Sequence, residues 1–416
     1  MAASKRMSQS FAIEPPRIVD AEPDDAEQWV EDWRRVLAKD LIDSRIVEVE
    51  ADTSVEDACE ILLSEKILCL AVKATEPDTE PYMGLFDFAD VNAFLTLAAT
   101  RHTLLREDLL DNPRVGAIVS AARAGRVPVH LVSNLSEKNP LEILPDSASL
   151  ISLLELFARG THRVLIRSST GPFLGIVSDR RLLTWFAAYI PTAPFLASPL
   201  NSLSLPSLHL FSAVVTATST ASVLDAMRLM SEEGVSSAAV LDDDSGALLS
   251  AVSVTDVGRI VVPSQSNQIL NTPLHQFIAQ IKEPDGSTDG VDRYPVYAVS
   301  PNSLLSYTIQ KLLATNSHRL FITRDMNGST SPIIATPRVP GNLTGIVSIV
   351  DILSLFARLA HLDVDPARMQ RHRRASSASS HSAHSARSGS RPSSRSGVGR
   401  TSSIRTNATT GVGGGK

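Results

Sequence analysis

The chain has 416 residues, 43% of them hydrophobic, and a formal charge of −6, enough for one to three domains with sizeable cores. No apolar run approaches the ~18 residues of a membrane-spanning helix, and the first residues lack a signal peptide's basic-then-apolar layout, so a soluble intracellular protein is expected. After Asp365 come nine Arg and one Lys without an acid, which leaves −16 for the rest; an acidic body argues against a DNA-binding core, which needs a basic face.

Residues 1–24 are polar and unpatterned, and disorder is expected there. Over 25–45 the apolar residues Trp29, Trp33, Val36, Leu37 and Leu41 recur at three- and four-residue spacing behind an acidic start. That predicts an amphipathic helix packed on the unit that follows, with a partner-binding helix built on the two Trp as the alternative.

A unit of strand, helix, strand, strand, helix then recurs four times. The first, with its helical connector, covers 46–125: strand Ile46–Val49, a capping sequence at Asp52–Glu56, helix Val55–Leu63, strand Leu68–Val72, and Met83–Asp90 opening the last strand and helix. Cys59 and Cys69, the two cysteines, lie in apolar helix-to-strand context and are expected to be buried, reduced thiols rather than a disulfide or metal pair. The second unit covers 140–190: strand Leu141–Leu144, helix Ile151–Phe157, His162-Arg163, strand Val164–Arg167, and Gly175-Ile-Val-Ser178-Asp179-Arg180-Arg181. Residues 191–210, rich in Pro, Ser and Leu, read as a joint between two halves.

The third unit and its connector cover 211–290, with strand Ala213–Thr216, helix Val223–Met230, strand Ala238–Leu241 and Ser250-Ala-Val-Ser253-Val-Thr-Asp256. The fourth covers 295–362: strand Val296–Val299, helix Leu304–Ala314, His318-Arg319, strand Leu320–Thr323, and Gly345-Ile-Val-Ser348-Ile-Val-Asp351. From 366 to 416 the chain is Ser, Arg, Gly, Ala and His, which cannot bury enough apolar area to offset chain entropy. A Ser-x-x-Asp pair at a helix start is favourable as a cap alone, and His-Arg after a helix can satisfy its last carbonyls.

A β-α-β-β-α unit ending Gly-h-h-Ser-x-x-Asp (h, apolar) resembles the CBS motif, two of which form a CBS pair or Bateman domain. The fold expected is therefore α/β (α+β), with four CBS motifs as two pairs. The architecture is similar to the γ subunit of AMP-activated protein kinase: repeats two and four carry His-Arg, and repeat two has Arg181 in place of the terminal Asp. That resemblance implies Asp351, Asp256 and Asp90 as acceptors for a ribose, with Ser348 and Ser253 at the same helix starts. It implies His318, Arg319, His162, Arg163 and Arg180 as phosphate contacts. The chemistry suits them, since a carboxylate accepts from both ribose hydroxyls while guanidinium donates a charged fork. Asp351 with His318 and Ser348 is the best single candidate, and an adenine nucleotide (AMP, ADP or ATP) the candidate ligand, with no required cofactor. Repeats one and three depart from the pattern, reading Ile67-Leu68 and Ser236-Ser237 where basic residues are expected.

The Trp-containing acidic start, the four motifs, Leu343-Thr-Gly-Ile-Val-Ser-Ile-Val-Asp-Ile-Leu-Ser-Leu-Phe-Ala-Arg358 and the Arg/Ser tail resemble the fungal Sds/Moc family. The likeness implies a regulator of the cell cycle, cell separation and nutrient or stress responses that restrains a type 2A protein phosphatase, in cytoplasm and nucleus. Signalling kinases are alternative partners, a homodimer through the CBS pairs is a further expectation, and neither a specific nucleic acid nor a membrane is implied. No P-loop, His-Glu-x-x-His, Cys-x-x-Cys or Gly-x-Ser-x-Gly occurs, so no enzyme and no metal site is expected. A hydrolase group of Ser178, Asp179, His130 and Asp111 ignores the repeat positions.

Arg371-His-Arg373-Arg374-Ala-Ser376-Ser377 sets Arg two and three residues before a Ser, the pattern basophilic kinases read. Ser376 and Ser377 are the leading phosphorylation candidates, Ser394 and Ser403 weaker ones. A phosphate adds about −2, enough to reverse the local charge. Ser376→Ala and Ser376→Asp proteins are expected to differ in partner binding or nuclear distribution; identical behaviour in both assays would refute the switch.

Overall fold

A computed structural model describes residues 23–75, 80–100, 112–189, 194–205, 207–208, 214–260, 269–282, 297–323 and 343–363. The terminal stretches expected to be disordered, including Ser376, Ser377, Ser394 and Ser403, lie outside the described residues.

Each repeat forms a three-stranded sheet whose first two strands are parallel and last two antiparallel. In repeat one these are β1 (Glu48–Val49), β2 (Cys69–Lys73) and β3 (Tyr82–Asp87), with α2 (Val55–Ser64) and α3 (Phe88–Thr100). α4 (Pro113–Arg123) and α5 (Val129–Val132) follow as connector. Repeat two has β4 (Ile143–Pro145), α6 (Leu150–Ala158), β5 (Arg163–Arg167), β6 (Phe173–Ser178) and α7 (Asp179–Tyr189). Repeat three has β7 (Thr216–Thr218), α8 (Val223–Glu232), β8 (Ser237–Leu241), β9 (Leu248–Ser253) and α9 (Val254–Ile260), then connector α10 (Leu274–Lys282). Repeat four has β10 (Ala298–Val299), α11 (Leu305–Ala314), β11 (Arg319–Thr323), β12 (Leu343–Ser348) and α12 (Ile349–Leu359). The antiparallel pair breaks register at the same place in all four, before Lys73, Arg167, Leu241 and Thr323. The main correction to the elements is at β7, which begins at Thr216, where that expected strand ends.

Four apolar clusters close these units into a ring. The sheets of repeats one and two meet through Cys69, Ala71, Leu85, Leu165 and Ile176, and those of three and four through Ala239, Ala251, Phe321 and Ile346. These are the two CBS pairs. Helices join the pairs: α3 and α8 lie in the core that repeats one and three share, α6 and α12 in that of two and four. Among the described residues, these helical faces are thus paired within the one chain.

Two expectations are corrected here. The N-terminal helix α1 (Pro23–Arg35) packs on repeats two and four, not on repeat one. Trp33 is fully buried, its ring 4.9 Å from Phe186 and 6.1 Å from Phe356, and Trp29 leans on Phe195. With Trp33 inside the core, the partner-binding alternative for that face falls. The joint at 191–210 is no bare spacer either, because Leu196, Leu200, Leu203, Leu205 and Leu208 all enter the repeat two–four core. Cys59 and Cys69 are buried free thiols as expected, and burial pushes the Cys59 thiol up to about 12.

Segments between repeats lie along the last strands. The Asp43 and Ser44 amides donate to Ile176 O, and Ile176 N–H returns a bond to Ser44 O. Asn134 N–H donates to Leu85 O. A Cβ on Gly175 would sit 2.8 Å from Ser44 O, one on Gly84 2.5 Å from Ser133 Oγ, and one on Gly345 would run into the Leu208 carbonyl. The third repeat has Ser250 at that register position. Gly345→Ala should cost about 1–3 kcal/mol by forcing residues 207–208 off β12, whereas Ser250→Ala should be near neutral. Urea midpoints at unchanged slope test this, and a Gly345→Ala protein as stable as the parent would refute the close approach.

Candidate functional site

The helix-start positions are where the resemblance placed a ribose, and the structure shows each carboxylate's partners. Asp351 is fully buried. Its Oδ2 accepts from Ser348 N–H (2.8 Å) and Ser348 Oγ–H (2.6 Å), and its Oδ1 accepts from Ser207 Oγ–H (2.8 Å). Ser348 in turn caps α12 by accepting from Asp351 N–H. Both oxygens of the carboxylate that the resemblance assigns to a ribose are therefore engaged within the chain, one of them by the linker segment. Burial pushes the Asp351 carboxyl up, against the pull of the Ser348 and Ser207 hydroxyls.

The carboxylate of repeat one is engaged in the same way. Asp90 Oδ1 accepts from Ser136 N–H (2.8 Å), and Oδ2 from Asn134 N–H and Asp87 N–H (both 3.2 Å). Its helix starts with Asp87 rather than Ser, a residue the sequence reading passed over. Arg163, expected to hold phosphate, reaches across the pair to Asp87 at 3.4 Å, and both side chains are nearly buried. In repeat two the acceptor is missing, as Arg181 predicts, but a carboxylate arrives from elsewhere: Ser178 Oγ–H donates to Asp43. Nothing periodic in residues 42–45 announced that role.

Repeat three differs. Ser253 and Asp256 form the cap, with Asp256 Oδ2 accepting from Ser253 N–H (2.9 Å) and Oγ–H (2.7 Å). Ser250 Oγ is buried and has no hydrogen-bond partner among the described residues. Arg319 from repeat four enters this cleft and donates to Ser236 Oγ at 3.1 Å. The segment equivalent to the straps of the other clefts, 283–296, lies outside the described residues.

The two His of the His-Arg pairs meet at the seam between repeats two and four, their ring centroids 5.2 Å apart. Asp179, at the start of α7, stands between them, with His162 Nδ1 at 2.7 Å and His318 Nδ1 at 3.6 Å from its Oδ2. Burial alone would raise its carboxyl, but His318 and His162 outweigh that and hold it well below the usual carboxylate range. Register aligns Asp179 with Phe88, Val254 and Ile349, all apolar. A charge in an otherwise apolar column was the overlooked signal. Arg180 is turned away, donating to Asn316 O at 2.7 Å. The hydrolase grouping does not form: His130 Nδ1 lies 2.8 Å from Ala51 O, Ser178 is spent on Asp43, and Asp111 lies outside the described residues.

Comparison with known proteins fits this architecture. The CBS domain family matches residues 211–262, the third repeat. Protein sds23 of Aspergillus niger is 31% identical over 386 residues, covering 81% of this chain and 75% of that protein. The chain belongs to the Sds23 family. Its relative in Neosartorya fischeri is 32% identical over 78% of this chain and 59% of its own length, so the chain spans well under two thirds of that Sds23 protein. Among solved structures, a Methanocaldococcus jannaschii protein described as a candidate archaeal homologue of the AMP-activated kinase γ subunit aligns with a TM-score of 0.54. It covers 77% of this chain and 100% of its own at 14% identity, which supports a common fold. As an Sds23 protein with this fold, the chain is a regulatory CBS protein.

The Asp87–Asp90 pair makes a pH prediction. Burial first, and the Asp87 charge second, push the Asp90 carboxyl up to about 7, whereas an unfolded Asp titrates near ~3.9. The folded state holds the proton between those values, so the stability Asp90 carries is present at low pH and lost as pH rises through about 7. Asp90→Asn should therefore compare more favourably with the parent at pH ~8 than at pH ~5, read from urea midpoints. A pH-independent difference would refute the raised carboxyl.

Proposed function

We propose that this Sds23-family chain is a non-catalytic regulator that binds and restrains a type 2A protein phosphatase in cell-cycle, cell-separation and stress signalling, in cytoplasm and nucleus. Family membership carries the reading. Two observations support it: the four repeats form one closed acidic body, and the side chains that might have done chemistry, His130, Ser178 and Asp90, are spent on internal hydrogen bonds. Such a body acts by covering a surface of its target. Residues 1–365 carry net negative charge, which suits a partner with a basic docking face.

Adenine nucleotide, on this proposal, enters at repeat three rather than at repeat four. Ser250 offers an unpartnered buried hydroxyl, Asp256 a carboxylate 8% exposed, and Arg319 a cation in the same cleft. Asp256 is bonded to Ser253 and Arg319 to Ser236, so what sets this cleft apart is the Ser250 hydroxyl, where the other three repeats carry glycine.

Purified phosphatase assayed with saturating full-length protein should lose most of its activity; full activity would overturn the inhibitory reading. Titration of AMP, ADP and ATP by thermal unfolding tests the cleft separately, since ligand at 100 times its dissociation constant stabilises by about 2.7 kcal/mol. The shift should vanish in Asp256→Ala and persist in Asp351→Ala. The reverse pattern would return the site to repeat four, and no shift at millimolar nucleotide would leave a ligand-free scaffold.

A further inference from the structure

Two imidazoles and a carboxylate from three places in the sequence converge at the seam between repeats two and four. His162 precedes β5, Asp179 opens α7 and His318 precedes β11. Their ligand atoms all lie within 4.8 Å of one another. Backbone bonds hold the frame, with Asp179 N–H donating to His162 O at 3.1 Å and the matching Ile349 N–H to His318 O at 3.0 Å. Arg180 N–H occupies the carboxylate's other oxygen at 2.7 Å, leaving Oδ2 aimed between the rings.

One feature of this cluster does not fit a purely structural ion pair. His318 Nδ1 is buried and makes no hydrogen bond, although it points at Asp179 Oδ2 from 3.6 Å. A buried ring nitrogen without a partner costs free energy unless something binds it. A proton can sit on the His162–Asp179 line, at 2.7 Å, but the second imidazole is then left over. A cation bound by all three atoms would satisfy each of them.

We propose that His162 Nδ1, His318 Nδ1 and Asp179 Oδ2 form a binding site for a borderline divalent transition metal, Zn(II) being the best match. Two imidazoles and one carboxylate with a fourth position open to water is a zinc donor set, and hard ions such as Mg(II) prefer all-oxygen shells. Zn–N and Zn–O bonds of about 2.0–2.1 Å set tetrahedral ligand separations near ~3.3 Å. The two His–Asp179 distances, 2.7 and 3.6 Å, straddle that value, and all three ligand atoms lie within 4.8 Å of one another, so the rings must draw together to seat the ion. An entry path exists, because His162 and His318 are 22% and 33% exposed in their side chains while Asp179 is 1% exposed.

Local charge permits the ion. The facing cations are Arg163 and Arg180. Each has an acceptor of its own, Asp87 and the Asn316 carbonyl, and Asp179 supplies the negative charge. No group-transfer chemistry is implied. The ion would tie the first CBS pair to the second across a seam closed by apolar packing and the Arg180–Asn316 hydrogen bond, and would compete with protons for the two rings.

The test uses full-length protein stripped with a chelator. Co(II) is titrated by visible absorption, then Zn(II) is added to displace it, with Mg(II) as control. One Co(II) per chain should give the intense absorption of a tetrahedral N/O site, be displaced by Zn(II), and be unaffected by millimolar Mg(II). His318→Gln is the decisive variant, because His318 Nδ1 has no hydrogen bond to lose among the described residues; it should weaken Zn(II) binding at least 100-fold while leaving the far-ultraviolet circular dichroism unchanged. Asp179→Asn should do the same. A His381→Ala/His384→Ala protein, altered only in the tail, should bind as the parent does. Zn(II) binding unchanged in His318→Gln, or lost in the tail variant, would overturn the proposal, as would absence of tetrahedral Co(II) absorption in the parent.

Discussion

The constraint on which this structure depends is the exposed edge of each three-stranded sheet. β3, β6 and β12 are the last strands of their sheets, and an uncovered edge carries unpaired backbone groups that invite other chains. The protein covers them with its own connections. The segment entering the first pair lies on the second repeat, and the segment leaving the first repeat folds back on that repeat. The segment entering the second pair lies on the fourth. Glycine stands on the strand at each contact, and at Gly175 and Gly345 the incoming backbone approaches closer than a Cβ allows. The helix-start carboxylate then becomes the acceptor for the strap, as Asp90 does for the Asn134 and Ser136 amides and Asp351 for the Ser207 hydroxyl.

Through these straps the segments that enter and link the repeats become part of the pairs themselves. The helical seams then join the pairs through large side chains, with Trp33, Phe186 and Phe356 packed at one point and Phe186 stacked on Phe356 at 4.1 Å. Polar contacts are laid over that apolar closure, from Asp87–Arg163 between repeats one and two to Arg319–Ser236 between four and three. Buried charges of this kind cost desolvation and add little net stability.

The repeats were legible because the same order of strand, apolar-periodic helix, strand, strand and helix recurs four times, each time closing on a variant of Gly-h-h-Ser-x-x-Asp. What stayed hidden was what lies opposite each element. Amphipathicity told that α1 packs by one face, and could not tell which repeat receives it. Residues 203–208 read as a Pro/Ser/Leu joint because they follow no period, yet Leu203, Leu205 and Leu208 are core residues. The Ser-x-x-Asp pair illustrates the limit most clearly. Its local geometry is the same in repeats three and four, a capping pair with like distances, and nothing in that local pattern shows that the Asp351 carboxylate is also bonded to Ser207 of the linker. Asp179 was a different kind of miss. Attention to the first and fourth positions of the motif passed over the second, where one acid stands in an apolar column.

The adjacency of His318 and Arg319 draws the two proposed sites into one physical system. His318 faces Asp179 across the repeat two–four seam, and the next residue reaches Ser236 in the cleft of repeat three. Both lie at the start of β11, whose register to β12 is fixed by Arg319 pairing with Ser348. An ion that drew His318 toward Asp179 would move the backbone that aims Arg319, and a phosphate that drew Arg319 away from Ser236 would move His318. By linkage the coupling must be equal in both directions, and it exists only to the extent that either ligand distinguishes the two positions of β11. A strand end carrying two functional side chains to two different neighbours is the simplest element through which such a ring could register what is bound to it.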